Sequence, residues 1–161
     1  MTNQERSAVQ FVRIAEIKVA SQGFLKATLG SCVAIAMINR KTGVCGLAHC
    51  LLPLAPAETA PDDARFVDRA IANLIRAVGV EESSRREISA YLGGGGCMRS
   101  DMDQSRASVG AMNVAAAKTV LDTHHIRFKL LEVGGNQACM VIVDCESQTV
   151  TSSRIDQLTK E

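Results

Sequence analysis

Apolar and polar residues alternate along FVRIAEIKVA (11–20), a period of two that predicts a strand. After Ser21-Gln22-Gly23, a turn by composition, the run FLKATLGSCVAIAMI (24–38) divides into a strand ending at Gly30 and a second, partly β-branched strand, VAIAMI. Polar Asn39-Arg40-Lys41-Thr42-Gly43 separates it from another apolar run, VCGLAHCLL (44–52). Two such runs about a short Gly-containing loop predict a hairpin. With Asn39 to Thr42 as the loop, Ile38 faces Gly43 and Cys32 faces His49, side chains projecting from one face; a loop one residue different sets Cys50 opposite Cys32 instead.

Residues 53–63, PLAPAETAPDD, hold all three prolines and read as a loop, with Asp62 or Asp63 placed to cap the following helix. In that helix Phe66, Val67, Ala70, Ile71, Leu74, Ile75 and Val78 form one stripe, and Gly79 ends it. EISAYL (87–92) reads as a buried strand running into Gly93–Gly96, and CMRSDMDQSRAS (97–108) shows no periodicity. A second helix covers about 109–123, with Val114, Ala117 and Leu121 on one face. Strands at 126–133, 139–144 and 149–155 close the chain, separated by turns at Gly134-Gly135-Asn136 and Glu146-Ser147-Gln148. With no repeat, linker or second domain, the pattern predicts one mixed α/β layered domain over 1–161 with its core at about 11–155.

Composition narrows the function. The chain is 47% hydrophobic but only 3% aromatic, so its interior is built from small and aliphatic side chains. No apolar run approaches the ~20 residues of a membrane span, and the polar start MTNQERSAVQ lacks the apolar stretch of a signal peptide. A cytoplasmic protein without membrane insertion is expected. A net charge of +1, scattered Lys and Arg, and a single Tyr argue against nucleic-acid binding. Six cysteines contain no Cys-x-x-Cys pair and accompany no export signal, which disfavours both a disulfide scaffold and structural zinc. Cys45, His49 and Cys50 are close in sequence, yet no metal is expected there, and most of the cysteines read as small buried hydrophobes.

Candidate chemistry concentrates at Gly30-Ser31-Cys32. A Cys just past a Gly-containing strand end can sit on a sharp turn whose backbone N–H groups face a developing oxyanion. A thiol is mostly protonated at neutral pH and needs a base beside it. His49 is the best placed of three histidines, since His124 and His125 fall where a helix ends and read as a solvated cap. The four-glycine run lacks the Lys-Ser/Thr of a phosphate-binding loop; Gly94 and Gly95 read instead as backbone passing close to another segment at the rim of the site. No cofactor is expected.

Taken in order, TLGSCVAI (28–35), GLAHCLLP (46–53), YLGGGGCM (91–98), Asn113-Val114 and EVGGN (132–136) resemble the CheD family of chemoreceptor glutamine deamidases, over roughly residues 14–155. The resemblance implies a fold shared with the catalytic part of cytotoxic necrotizing factor toxins. It also implies a protein-glutamine glutaminase acting on the cytoplasmic helices of methyl-accepting chemoreceptors in chemotaxis adaptation. Some relatives also hydrolyse receptor methyl esters, and several bind a CheC-type phosphatase. Cys32 would attack the amide, His49 would move the protons, and N–H groups from Gly30 to Cys32 would hold the oxyanion. The family carries a Thr five or six residues before the Cys; Ala27 and Lys26 stand there, and Thr28, four before, is the candidate for its role. Gln137-Ala138 follow the Gly-Gly turn where many relatives have Arg. Two other readings are an adaptor that binds chemoreceptors or a CheC-type phosphatase without turnover, and a thiol redox protein, the latter lacking a resolving Cys within a Cys-x-x-Cys.

Overall fold

The computed structural model describes residues 8–79, 81–97 and 108–155, the side chains of 82–84 excepted. In chain order the elements are β1 (Val9–Phe11), β2 (Ile17–Ala20), β3 (Phe24–Leu29), β4 (Val33–Asn39), β5 (Cys45–Cys50), α1 (Val67–Ala77), a 3-10 helix (Glu82–Glu87), β6 (Ile88–Gly94), α2 (Val109–Thr123), β7 (Phe128–Val133), β8 (Cys139–Asp144) and β9 (Thr149–Arg154). The larger sheet runs β2-β5-β4-β6-β7 and the smaller β1-β3-β8-β9. Pairing is antiparallel except for β1 with β3 and β6 with β7.

The layering follows from β4, which is buried at every residue. Val33, Ile35 and Met37 share one core with Ile71 and Leu74 of α1 and Leu121 of α2. Ala34, Ala36 and Ile38, on the opposite face, share a second core with Leu25, Leu29, Val141 and Val143 of the smaller sheet. A strand covered on both faces reads as a continuous apolar run, as VAIAMI does. The order is therefore helices, larger sheet, smaller sheet: a layered mixed α/β fold, as the sequence pattern predicts. Each Leu or Ile buried between layers contributes roughly 1.5–3 kcal/mol of transfer free energy.

The predicted stripe of α1 is buried, and Gly79 follows its end. α2 spans the predicted residues, with Ser108 Oγ accepting from Ala111 N at its start. The 97–108 segment lies outside the described residues from 98 to 107.

Three expectations are corrected. The run 11–20 is not one strand: β1 and β2 belong to different sheets, and the chain reverses between them at Arg13–Glu16, where Ala15 takes a φ of 69°. Neither Asp62 nor Asp63 caps α1. Phe66 precedes its first turn without a side-chain cap, Val67 N donates to the carbonyls of Leu52 and Pro53, and Asp63 pairs with Arg65 at 2.6 Å. Loop carbonyls thus meet the helix start where a carboxylate was expected. The hairpin register, finally, pairs Ile38 with Cys45 and Ala34 with His49, two residues from the predicted alignment. Asn39 is a strand residue, its N–H donating to Val44 O at 2.9 Å, so the loop begins one position later than its composition indicates.

Candidate active site

A register error of two leaves every side chain on its predicted face, because strand side chains alternate with period two. His49 faces Ala34 directly, and Cys32 stands two residues ahead of Ala34. Cys32, one residue before β4 begins, is therefore set diagonally from His49 rather than directly opposite it. Both side chains lie on the side of the larger sheet that meets the smaller one, 7% and 5% exposed. Cys50 falls on the helix-facing side, fully buried.

The hydrogen bonding of His49 fixes its tautomer. Nδ1 lies 2.9 Å from Val12 O, and a carbonyl only accepts, so Nδ1 carries the hydrogen and Nε2 presents a lone pair. Nε2 is buried and has no hydrogen-bond partner among the described residues. The segment bearing Val12 is strapped to β5 on either side of the imidazole, with Ala15 N donating to His49 O at 2.8 Å and His49 N donating to Glu16 O at 3.1 Å. Burial pushes the imidazole below its usual 6.5, outweighing the opposite pulls of Val12 O and Glu16. At neutral pH the ring is uncharged.

Burial likewise raises the Cys32 thiol, while its own backbone N–H pulls the other way. The resting sulfur is a thiol. Three consecutive carbonyls around it are held: Gly30 O by Gly96 N at 2.9 Å, Ser31 O by Asn113 Nδ2 at 3.0 Å and Cys32 O by Gly95 N at 2.8 Å. The glycine run thus lies against the Gly30–Cys32 turn. Gly94 has a φ of +96°, and a Cβ there would strike the Cys32 carbonyl oxygen, which is why this approach needs glycine. Arg154 braces the neighbouring turn by donating to Gly134 O at 2.6 Å and Val133 O at 3.2 Å, so β9 supplies a guanidinium beside the turn that Gln137-Ala138 follow.

Thr28 sits elsewhere. On β3, Leu25, Ala27 and Leu29 point inward, and Thr28 is exposed on the outer face with Lys26. It nevertheless lines the same cleft as His49, a space of about 540 Å³ walled also by Phe11, Val12, Arg13 and Lys26. The structure thus brings Cys32, His49, Gly30, Ser31, Gly94 and Gly95 to one end of the β4–β5 pair and sets Thr28 on the cleft's outer wall. His124 caps the far end of α2. Among the described residues no group of three or more His, Cys, Asp or Glu side chains is placed to hold a metal ion. The Val12 carbonyl escaped the sequence because backbone leaves no side-chain signature. Asn113 stands in the Asn113-Val114 segment of the resemblance, but its bonds to Ser31 O and Leu51 O were signalled only by a polar residue within the buried face of α2.

Comparison with known proteins places the chain in a family. A family model described as CheD chemotactic sensory transduction matches residues 51–154. The "Probable chemoreceptor glutamine deamidase CheD" of Bdellovibrio bacteriovorus is 39% identical over 128 residues, covering 78% of this chain and 82% of the relative. That of Haloarcula marismortui is 30% identical over 152 residues, covering 92% and 87%. The crystal structure of Neisseria meningitidis protein NMB0706 aligns with a TM-score of 0.42 at 15% identity, over 74% of this chain and 52% of that one. Matched across most of its length by relatives that share this name, the chain belongs to the CheD family.

Proposed function

We propose that this protein is a glutaminase that hydrolyses side-chain amides in the cytoplasmic helices of chemoreceptors, with Cys32 as nucleophile and His49 as general base. The observation that carries the reading is the tautomer of His49: Nδ1–H is committed to Val12 O, leaving an unpartnered Nε2 lone pair on the sheet face that also bears Cys32. Unliganded sites commonly hold nucleophile and base slightly apart and close the hydrogen bond around substrate.

In the first half-reaction Nε2 takes the Sγ proton as sulfur bonds to the glutamine Cδ. The amide oxygen becomes an oxyanion facing the Cys32 N–H. Collapse breaks the C–N bond, the imidazolium returns its proton to the departing nitrogen, and ammonia leaves a thioester. In the second, Nε2 takes a proton from water as the water oxygen attacks the same carbon. Sulfur departs, recovers its proton, and glutamate remains. The Val12 carbonyl holds the imidazole through both steps, so a side chain is not needed to orient it. Thr28, which makes no hydrogen bond to His49 Nε2, contacts substrate from the cleft's outer wall.

Incubating the protein with a chemoreceptor cytoplasmic fragment and reading tryptic peptides by mass spectrometry tests this. Wild-type protein replaces NH₂ by OH on defined glutamines, and Cys32→Ala lowers the rate by more than about 10³-fold. Full conversion by Cys32→Ala overturns the reading. Binding of the fragment without conversion by the wild type replaces it with the adaptor.

A further inference from the structure

Resting on that reading, we infer that Asn113 is the positioning residue of the site: it ties the turn bearing the nucleophile to the strand bearing the base and aims the Cys32 N–H at the reacting carbon's oxygen.

Asn113 lies in the second turn of α2 with its side chain fully buried. A buried amide is costly unless its hydrogens find acceptors. Nδ2 finds two, Ser31 O at 3.0 Å and Leu51 O at 3.1 Å, and the pair of carbonyls fixes which end of the amide is nitrogen. Ser31 immediately precedes Cys32, and Leu51 follows His49 by two residues just past the end of β5. One side chain from a third element therefore joins the two segments whose separation sets the distance between sulfur and imidazole.

The same bond orients a donor. A trans peptide is planar, so the Ser31 C=O and the Cys32 N–H point in opposite directions. Drawing that carbonyl toward α2, on the helix side of the larger sheet, turns the N–H toward the opposite side, where the Cys32 and His49 side chains stand. The pull of that N–H on the thiol is the consequence already seen at Cys32. Because the carbonyls of Gly30 and Cys32 are held by Gly96 N and Gly95 N, neighbouring peptides have no freedom to undo this setting.

A role in folding alone does not account for the arrangement. Asn113 Oδ1 is buried without a hydrogen-bond partner among the described residues, an energetic burden that an apolar residue would remove from the core. Asn39 is the instructive contrast. It is also buried, but Nδ2 donates to Val78 O at 3.0 Å while Oδ1 accepts from Lys41 N at 3.1 Å and Thr42 N at 3.3 Å. Asn39 is a satisfied structural amide at the opposite end of β4; Asn113 places its nitrogen while its oxygen has no partner among the described residues.

The test compares Asn113→Ala and the equal-volume Asn113→Asp with Asn39→Ala in the full chain. Three quantities are measured: deamidation kinetics on a chemoreceptor cytoplasmic fragment, iodoacetamide alkylation of Cys32 against pH, and thermal stability. Loss of a positioned donor is expected to lower kcat of both Asn113 variants by about 10²-fold with KM changed by less than about threefold. The alkylation midpoint of Cys32 should move to higher pH. Asn39→Ala should lose comparable stability while keeping its kcat and alkylation profile. The inference falls if either folded Asn113 variant keeps wild-type kcat, if Asn39→Ala loses kcat equally, or if both Asn113 variants fail to fold while Asn39→Ala folds. The glutaminase reading fails separately: Cys32→Ala would then convert the fragment as fast as wild type, whereas an inert Cys32→Ala beside a fully active Asn113→Ala removes only the positioning role.

Discussion

A histidine whose Nδ1–H is spent on a main-chain oxygen has one basic nitrogen left, and the sign of its pKa shift decides when that nitrogen is available. Burial favours the neutral ring and lowers the His49 pKa from 6.5. On the proposed mechanism a protonated ring cannot accept the Cys32 proton, so activity should disappear as pH falls through the lowered value and not before. The pH profile of kcat/KM should accordingly show an acid limb centred below 6.5; a limb centred above it would mean that an unshifted histidine, or another group, is the base. The thiol complements this. Raised by burial, it stays protonated at neutral pH, so the proposed mechanism requires its deprotonation during the reaction and not beforehand.

At the scale of elements, α2 acts on the site through its N-terminal turns. An alanine for glycine in a helix ordinarily stabilises it by about 1 kcal/mol. At Gly110 the sign should reverse, because an added Cβ would meet the carbonyl oxygens of Gly95 and Gly96, backbone atoms that cannot swing aside. Gly110→Ala is expected to cost about 1–3 kcal/mol by overpacking and to lower kcat with it, as the glycine run is displaced from Cys32. Chemical denaturation alongside kinetics checks both, and a stabilised, fully active variant would refute the proposed contact.

The elements also show how much was legible in the sequence. β8 and β9 followed from the sequence because one more-covered face imposes a regular alternation along each. The β4–β5 register did not, since Asn39 has the composition of a loop residue while its backbone pairs with Val44. The division of 11–20 was hidden because the reversal at Arg13–Glu16 uses no Gly or Pro. Cys32 and His49 still share a face because a shift of two preserves it.

For the molecule as a whole, the two sheets are joined at both ends. Far from Cys32, Arg40 in the hairpin loop donates to Ser89 Oγ at 2.9 Å and Tyr91 OH at 3.1 Å on β6 and to Gln148 O at 2.7 Å in the β8–β9 turn. Arg40→Ala should cost about 1–2 kcal/mol with kcat unchanged, and Arg40→Lys should not restore it, because an ammonium lacks the planar fork. Thermal melts and kinetics on the same samples decide this; a kcat loss without a stability loss would contradict it. Near Cys32 the link is Val12, whose N–H donates to Lys26 O of β3 at 2.8 Å and whose carbonyl holds His49 of β5. The group that orients the imidazole is thus an amide oxygen common to all residue types. A scan replacing side chains one at a time would pass over it. Only edits to the main chain would register it: an inserted residue in the reversal that follows, or an ester linkage whose weaker acceptor loosens the ring.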